Sequence, residues 1–482
     1  MTQTRREFFD SLLAAAAVGA TTLSARPLFA RSPRRRSPNE TIRVGVIGVR
    51  GRGRAHISAF KNMENVKVAA LCDADSSVVD LAMRSVPDAK YYQDMRQMMD
   101  DDSIDVISIA TPNHWHSLAT IWALQAGKHV YVEKPLSHDV YEGRALVEIA
   151  RRSGLVVQHG TQARSATATR DAMQFLHEGG IGEVSLARGL CYKRRNSIGK
   201  VDGPQTPPEG CDYKLWCGPA GMHPLTRKQL HYDWHWNFKT GNGDMGNQGV
   251  HQMDIARWGL GVDTLPTSIM SLGGRVGYVD DADTPNTQVS LFDYGDKQLI
   301  FEVRGLKTPA YKGASIGVVF EGETGYLVSA SYNRVQAFDR EGQVIETFEG
   351  NEDHFAQFMD AVRANDPSAV NASPLDGHLS SALCHMGSIS YKLGTASPLA
   401  KMDGHFASFP NGAGVEIGAE AMGRFAQHMK ENGLDLKKEQ GLVGPMLSFN
   451  PATERFTGER AAEANALLRK PQVEGFAIPD LA

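Results

Sequence analysis

The sequence predicts a doubly wound α/β domain followed by an α+β domain with an open, mainly antiparallel sheet. Between residues 41 and 165, short apolar runs alternate four times with helical stretches, the pattern of a parallel sheet with crossover helices. After residue 166, strand-like segments follow one another across Gly- and Asp-rich turns, which favours antiparallel pairing. A chain of 482 residues is long enough for two or three such domains.

Composition and charge exclude several classes of protein. The chain is 41% hydrophobic and 22% charged, as in ordinary globular proteins. A net charge of -4 gives no general attraction to nucleic acid or anionic lipid, so no nucleic-acid partner is expected. The 5 cysteines form no CxxC pair, which predicts buried free thiols, with a Cys211–Cys217 bridge as the alternative.

The first forty residues are predicted to be a targeting segment and linker. TRREFF at residues 4–9 resembles a twin-arginine signal, and the apolar, Ala-rich residues 12–23 that follow are too short to span a bilayer comfortably. Residues 32–39, rich in Arg, Pro and Ser, are typical of a solvated linker. This order predicts export of the folded protein to the periplasm, with no membrane span after signal removal.

The first strand runs directly into a glycine-rich loop. Residues 42–47 are apolar on both faces, and GVRGRGRAH at residues 48–56 then opens a helix. Such glycines let the backbone approach a pyrophosphate at a helix N-terminus, as in a Rossmann dinucleotide-binding domain. The residues predicted to bind the cofactor in this loop are Gly48, Arg50, Gly51, Arg52 and Gly53.

Asp73 ends the second strand, residues 66–72. An acid at this position accepts hydrogen bonds from an adenosine ribose and repels a 2′-phosphate, so NAD is the predicted cofactor. Arg50, Arg52 and Arg54 leave NADP open, because an arginine can hold the extra phosphate.

Two further strands end in polar residues at the edge where open α/β sheets bind ligands. Residues 104–110 lead into TPNHWH, where Thr111 is a predicted N-cap and Pro112 a first helical residue. Residues 127–135, GKHVYVEKP, end in a lysine whose pKa would shift on desolvation, which suits it to proton transfer or to holding a developing alkoxide. The residues predicted to contact the cofactor here are Thr111, Pro112, Asn113, His116, Glu133 and Lys134.

These three motifs, in this order, resemble the glucose–fructose oxidoreductase / inositol dehydrogenase / MocA (Gfo/Idh/MocA) family. The resemblance covers roughly residues 41–395 and implies that Lys134 is catalytic. It also implies an open sheet with helices on one face, whose other face forms the interface of a homo-oligomer. The predicted domains are 41–165 for NAD(P), 166–395 for substrate and oligomerisation, and 396–482 as a C-terminal extension without assigned chemistry.

Residues 244–258 are predicted to be mostly helical and to form one wall of the substrate pocket. One stripe of this helix carries Asp244, Asn247, His251, Asp254 and Trp258. The family's Gly-x-His-x-x-Asp signature matches Gly249, His251 and Asp254, which implies that His251 is a general acid/base. Polyol dehydrogenases of the family carry Asp where this chain has Asn247, and an amide can orient a hydroxyl but cannot accept a proton.

The resemblance and the residues together predict an NAD-dependent oxidoreductase acting on a carbohydrate or polyol. Lys134 would steady the reacting oxygen, His251 would take or give its proton, and Asp254 would brace the histidine. Trp234 and Trp236 are expected to stack on sugar faces or, equally, to pack in the core. No third ligand stands at suitable spacing beside the histidine, so a zinc site is disfavoured.

Because a periplasm is not expected to supply free cofactor, the export signal adds a hypothesis. NAD would be loaded before export, stay bound, and be reset within each catalytic cycle. One alternative is an NAD-dependent glycosidase that works by transient sugar oxidation. Another is a sugar-sensing protein without enzymatic activity, against which intact Lys134 and His251 argue.

Overall fold

A computed structural model describes residues 40–402, 404–410 and 412–480. The targeting segment and linker are predicted over residues 1–40, of which residues 1–39 lie outside these described residues. Within the described ranges, no helix combines the length and apolar character that a bilayer crossing requires. The five cysteines are free, four of them buried and Cys211 half-buried, so the predicted free thiols are confirmed.

The first sheet has six parallel strands. They are β1 (Ile42–Ile47), β2 (Val66–Cys72), β3 (Lys90–Tyr92), β4 (Val106–Ile109), β5 (His129–Val132) and β6 (Val157–His159). Their order, β3-β2-β1-β4-β5-β6, reverses direction between β1 and β4, which opens a crevice at the carboxyl ends of the strands. The predicted doubly wound fold is confirmed; the short strand β3 was not anticipated.

The crossover helices of this sheet are α1 (Arg52–Lys61), α2 (Asp80–Ser85), α3 (Met95–Met99), α4 (His116–Gln125) and α5 (Val140–Ser153). The predicted N-cap at Thr111 is wrong. Pro112 is extended (ψ 153°) and is followed by a 3-10 turn, Asn113–Trp115, so α4 begins only at His116. The loop after β4 is therefore longer than the motif suggested, and its side chains are placed by the turn.

The second sheet is twelve-stranded. Its strands are β7 (Val184–Cys191), β8 (Ser268–Gly274), β9 (Thr287–Asp293), β10 (Gln298–Arg304), β11 (Ile316–Gly322), β12 (Gly325–Ser331), β13 (Arg334–Asp339), β14 (Val344–Glu349), β15 (Thr395–Pro398), β16 (Gln440–Val443), β17 (Leu447–Asn450) and β18 (Arg455–Thr457). Only the β7–β10 pair is parallel, so the predicted open, mainly antiparallel sheet is confirmed. The C-terminal extension supplies β16 to β18 and thereby extends this sheet.

Helices pack on both faces of the second sheet. The helices after β6 are α6 (Thr167–His177), α7 (Tyr213–Cys217), α8 (Leu230–Asp233), α9 (Gly243–Asn247), α10 (Gly249–Leu260), α11 (His354–Ala364), α12 (Pro374–Lys392), α13 (Gly412–Glu431) and α14 (Ala461–Ala466). On one face, α10 and α12 pack against the strands and each other, and all of α10 except Trp258 is buried. The helix predicted over residues 244–258 is broken at Gln248 into α9 and α10.

The other face of this sheet is covered by the chain's own C-terminal extension. Met422 and Phe425 of α13 belong to one buried cluster with Leu272 and Ile300 of the strands. This is the face that the family resemblance assigned to a subunit interface. Over β8 to β10 that face is already buried, and the homo-oligomer stays a prediction.

Glu302 is the buried counter-charge that holds α13 to the sheet, and Glu302→Gln is expected to lower the free energy of unfolding by about 3–5 kcal/mol at pH 7. Its carboxylate accepts hydrogen bonds from Arg304 at 2.7 Å and from Arg424 at 2.5 Å. Burial alone would raise the pKa of Glu302, but these arginines lower it from 4.5 to about 2. The stabilisation is therefore complete above pH 4.5 and is lost as the pH falls towards 2.

Thermal unfolding of wild type and Glu302→Gln across pH 2–7 measures this difference, which is expected to shrink below pH 4.5. The control is Glu349→Gln, which breaks the exposed ion pair with Arg334 and should change stability by less than about 1 kcal/mol. A difference that stays constant with pH would contradict the assignment.

Candidate active site

A cavity of about 700 Å³ lies where β1, β4 and β5 end, and second-domain residues form its opposite wall. Most of the predicted site residues meet here. Those lining the cavity are Gly48, Arg50, Gly51, Arg52, Asp73, Thr111, Pro112, Asn113, His116, Glu133, Lys134, Trp234, Asn247 and His251. Gly53, Trp236 and Asp254 lie outside the lining.

The glycine loop is shaped so that side chains would obstruct it. Gly48 has φ +81°, and a Cβ on Gly53 would lie 1.7 Å from the Gly48 carbonyl oxygen. Gly51 has φ +50° and faces open space, with no atom within 4 Å of an added Cβ. No side chain caps the N-terminus of α1, which leaves N–H groups of its first turn for an anion. This cradle fits the pyrophosphate of a dinucleotide. Gly53 does not line the cavity, but its missing side chain leaves room for the backbone of Gly48.

Asp73 is held by the backbone with its carboxylate in the cavity wall. One oxygen accepts from Val49 N at 3.0 Å and the other from Asp75 N at 3.1 Å. Burial raises the pKa of Asp73, against the lowering effect of these two N–H groups. A carboxylate oxygen has two lone pairs, so each keeps one for a ribose hydroxyl, as predicted for NAD.

The three arginines that left NADP open are placed differently. Arg52 is paired through Nε with Glu133 at 2.7 Å. Arg50 lines the cavity and donates to the backbone oxygen of His231 at 3.3 Å. Arg54 and Lys61 line a separate pocket on the surface. Pairing of Arg52 with a carboxylate weakens the case for a 2′-phosphate site.

Glu133 is a structural counter-charge. Its Oε1 accepts from Arg52, lies 3.2 Å from Nε2 of His56 and 3.3 Å from Nε2 of Gln162. Burial alone would raise the pKa of Glu133, but His56 and Arg52 lower it well below its usual value. Sequence reasoning missed His56, although its place on the buried face of α1 was the available signal.

Lys134 reaches across from the first domain to the second. Its Nζ donates to the backbone oxygen of Asn247 at 2.5 Å and lies 3.2 Å from the Asn247 Oδ1. Burial lowers the pKa of Lys134, opposed by the nearby Glu133. His116 helps to fix this strand end, since its ring nitrogens lie 2.6 Å from Pro135 O and 2.8 Å from Thr111 O.

His251 lies in α10 and lines the same cavity as Lys134 and Asn247. Its ring packs against Tyr332 at a centroid distance of 5.5 Å. The buried Nδ1 has no hydrogen-bond partner in the part of the chain that the structure describes. Burial first, and the Lys134 ammonium second, lower the pKa of His251 to about 3. The ring is therefore neutral at physiological pH and is available as a base.

The prediction that Asp254 braces His251 is wrong. The Asp254 carboxylate accepts from Arg164 Nε at 2.8 Å and from Ser380 Oγ at 2.8 Å, outside the cavity. Because α10 is buried nearly all round, the residue three positions after the histidine meets α12 rather than the imidazole. Asp254 therefore anchors the helix that carries His251.

The other carboxylate of the predicted stripe is, like Asp254, bound by an arginine. Asp244 is paired with Arg195, whose NH2 and Nε lie 2.6 and 2.9 Å from its two oxygens. The Arg195 guanidinium carbon also lies 5.0 Å from the centroid of the Trp236 ring. Of the two alternatives predicted for Trp236, core packing is therefore the one that the structure shows. Trp234 lines the cavity and stacks on His235 at 3.6 Å between centroids. Among the residues with described positions, no His, Cys, Asp and Glu cluster suits a metal ion.

Residues 205–236, here called the cover segment, close the cavity over the end of β2. The Gly210 carbonyl accepts from Ser76 N at 2.9 Å, and Asp212 N donates to Ala74 O at 2.8 Å. Nε2 of His231 lies 2.7 Å from a carboxylate oxygen of Asp75. The segment adds to the cavity wall Leu215, Trp216, His231, Tyr232, Trp234 and His235. Its position was not predicted, because it depends on contacts between residues distant in sequence.

The family models for the Gfo/Idh/MocA oxidoreductases match this chain twice. Residues 42–161 match "Oxidoreductase family, NAD-binding Rossmann fold", and residues 182–413 match "Oxidoreductase family, C-terminal alpha/beta domain". A "Glycosyl hydrolase family 109 protein 1" of Shewanella sp. (strain ANA-3) is 36% identical over 123 residues, which are 24% of this chain and 27% of that protein. An "Alpha-N-acetylgalactosaminidase" of Shewanella oneidensis is 35% identical over the same 24% and 27%. The match thus spans about a quarter of these relatives' length.

Solved structures share the fold at low sequence identity. A levoglucosan dehydrogenase in complex with NADH and levoglucosan is 19% identical, with a TM-score of 0.54 over 72% of this chain and 97% of that one. The WlbA dehydrogenase of Bordetella pertussis, in complex with NADH and UDP-GlcNAcA, is 18% identical, with a TM-score of 0.53 over 71% and 94%. With the two family models covering both domains, this chain belongs to the Gfo/Idh/MocA family of NAD-binding oxidoreductases.

Proposed function

We propose that this protein moves a hydride between a carbohydrate or polyol carbon and an NAD that it retains. The observation that carries the proposal is that one cavity brings together the glycine loop, Lys134 from the first domain and His251 from the second. When bound, NAD supplies the hydride acceptor or donor. The protein supplies orientation, a charge for the reacting oxygen and a path for its proton.

Lys134 is suited to hold the reacting oxygen. Its ammonium group contacts the neutral oxygens of Asn247, which a substrate oxygen can replace or join. A cation in this partly desolvated place stabilises negative charge on an alkoxide or carbonyl oxygen better than it would in water. The Asn247 amide then orients a neighbouring hydroxyl without taking its proton.

His251 is suited to carry the proton. A ring that is neutral at physiological pH accepts the hydroxyl proton during oxidation and returns it during reduction. Burial first, and Lys134 second, hold the pKa of His251 down, so the imidazole is the neutral group of the pair and Lys134 is assigned the role of the cation. Alcohol and ketone interconversion uses this division of roles.

The cover segment supports retention of the cofactor. It bridges the cavity on the side of Asp73, so a dinucleotide lying there would be enclosed by both domains. A retained NAD must be reset within each cycle, which makes the reaction redox-neutral overall. Export of the folded protein to the periplasm by the twin-arginine route belongs to this proposal, because it explains why release would be unfavourable.

Full-length protein purified after expression is expected to yield NAD on denaturation, identified by absorbance and mass. His231→Ala removes the bond to Asp75, and it is expected to speed NAD loss by about 10- to 100-fold. The control, His177→Ala, changes an exposed histidine bonded to Trp258 O and should leave the NAD loss rate unchanged. A purified protein that is empty and binds NAD only in the millimolar range would refute retention.

The glycosidase remains the second candidate because of the 35–36% identity to glycosyl hydrolase family 109 proteins over 123 residues. It would use the same Lys134 and His251 for a transient oxidation that allows loss of the aglycone. Release of free sugar from an aryl glycoside without net NADH formation would decide for it. Oxidation of one free sugar coupled to reduction of another would decide for the oxidoreductase.

A further inference from the structure

Two carboxylates whose charges act on Lys134 are each paired with an arginine. Glu133 is paired with Arg52 and bonded by His56. Asp244 is held by two nitrogens of Arg195. Both carboxylates raise the pKa of Lys134, but each already faces an arginine, so Lys134 adds a positive charge to two carboxylate–arginine pairs.

Two lysines from different domains, Lys134 and Lys193, line this cavity. Neither forms an ion pair with a carboxylate among the described residues. Among the described residues, the Lys134 ammonium donates hydrogen bonds only to the uncharged oxygens of Asn247. Lys193 follows β7, is half-buried, and has no ion-pair partner among residues 40–402, 404–410 and 412–480. Burial is the main cause that lowers the pKa of Lys134, and Arg52 and Lys193 lower it further, against the raising effects of Glu133 and Asp244. Sequence reasoning overlooked Lys193, although a charged residue just past a buried strand was a usable signal.

The two histidine rings nearby add no further charge, positive or negative, to the cavity. His235 and His251 are both neutral, since burial lowers the pKa of each to about 3. The pyrophosphate of NAD belongs at the other wall, where the glycine loop and the start of α1 form its cradle. Two like charges in a partly desolvated cavity repel each other, and an anion placed there would relieve that repulsion.

We propose that the carbohydrate bound by this protein carries an anionic group, a carboxylate or a phosphate, and that Lys193 is the residue that binds it. The inference rests on the proposed function and narrows its substrate class. Lys134 and His251 are engaged at the reacting oxygen, so the anionic group sits on a different carbon of the sugar. Trp234, stacked beside the cavity on His235, offers an aromatic face to the sugar ring.

Calorimetric titration of the NAD-loaded protein with pairs of sugars that match in ring configuration and differ in charge tests the proposal. The pairs are D-glucose with D-glucuronate and D-galactose with D-galacturonate, and D-glucose 6-phosphate distinguishes a phosphate from a carboxylate source. The charged member is expected to bind about 10- to 100-fold more tightly. Lys193→Met should abolish this preference, and Lys193→Arg should retain most of it. Lys239→Met, an exposed lysine outside the cavity lining, is the matched control.

The outcomes separate this proposal from the proposed function. Equal binding of neutral and charged members, failure of every anionic probe to bind, or an unchanged preference in folded Lys193→Met overturns it. If neutral sugars are oxidised well, the oxidoreductase stands and the anionic site fails. If glucuronate binds through Lys193 but the bound NAD never changes its absorbance at the reduced nicotinamide band, the anionic site stands and hydride transfer fails.

Discussion

Replacing Lys134 with methionine is expected to lower kcat by about 10³-fold or more while NAD stays bound. Methionine keeps the length of the side chain but removes the cation that stabilises the reacting oxygen in a partly desolvated cavity. The substitution also removes the hydrogen bond from Lys134 to Asn247, and part of the expected fall in kcat comes from that loss. Single-turnover reduction of the retained NAD measures the chemical step, and thermal unfolding checks that the fold persists.

Lys239→Met is the control for loss of one positive charge without change in the cavity. The result also tests the sugar-sensor alternative. A non-enzymatic sensor would keep its conformational or binding response in Lys134→Met, whereas an enzyme keeps sugar binding and loses turnover. Wild-type turnover in Lys134→Met would refute the assigned role.

Replacing His251 with asparagine is expected to lower kcat by about 10²- to 10⁴-fold, the usual contribution of a positioned proton-transfer group. The buried Nδ1 has no hydrogen-bond partner in the described ranges, so the substitution breaks no bond there. A residue that matters only for folding would change stability and leave the chemical step intact. Comparing the single-turnover rate with the unfolding temperature separates these two roles.

The pH profile gives an independent readout for His251. Because its pKa in the free protein is lowered to about 3, kcat/KM for oxidation should hold down to about pH 4 and fall below it. An ordinary histidine would place this limb of the pH profile near pH 6.5.

Unfolded chains protonate this histidine below pH 6.5 while the folded protein does not, so His251→Asn should gain stability relative to wild type as the pH falls through that range.

The first domain could be predicted from the sequence because its parallel strands are buried on both faces and therefore appear as continuous apolar runs. The strand at residues 42–47, the glycine loop and Asp73 were placed correctly by local pattern alone. Lys134 followed from the same logic, since strand ends in such sheets meet at one edge. Local sequence carries this information.

What the sequence did not predict depends on partners far away in the chain. Asp254 lies three residues after His251, but its carboxylate accepts hydrogen bonds from Arg164 and Ser380 instead. The cover segment meets Asp75 through His231, 156 residues later. No periodicity signals such pairings, because each depends on how two separate elements pack.

The C-terminal extension shows the same limit. The amphipathic pattern of residues 419–431 predicts a helix, and in the structure this helix runs over Gly412–Glu431. The apolar stripe indicated a buried face but not the surface against which it packs. That surface is the sheet, held partly by the bond between Arg424 and Glu302.

The placement of α13 has a consequence for biosynthesis. The strands that it shields, β8 to β10, are translated more than one hundred residues before it. Until α13 has left the ribosome, Leu272, Leu291 and Ile300 present an apolar surface to the cell, which a chaperone would have to protect from aggregation. The nascent chain can therefore cover these strands only after α13 itself has been synthesised.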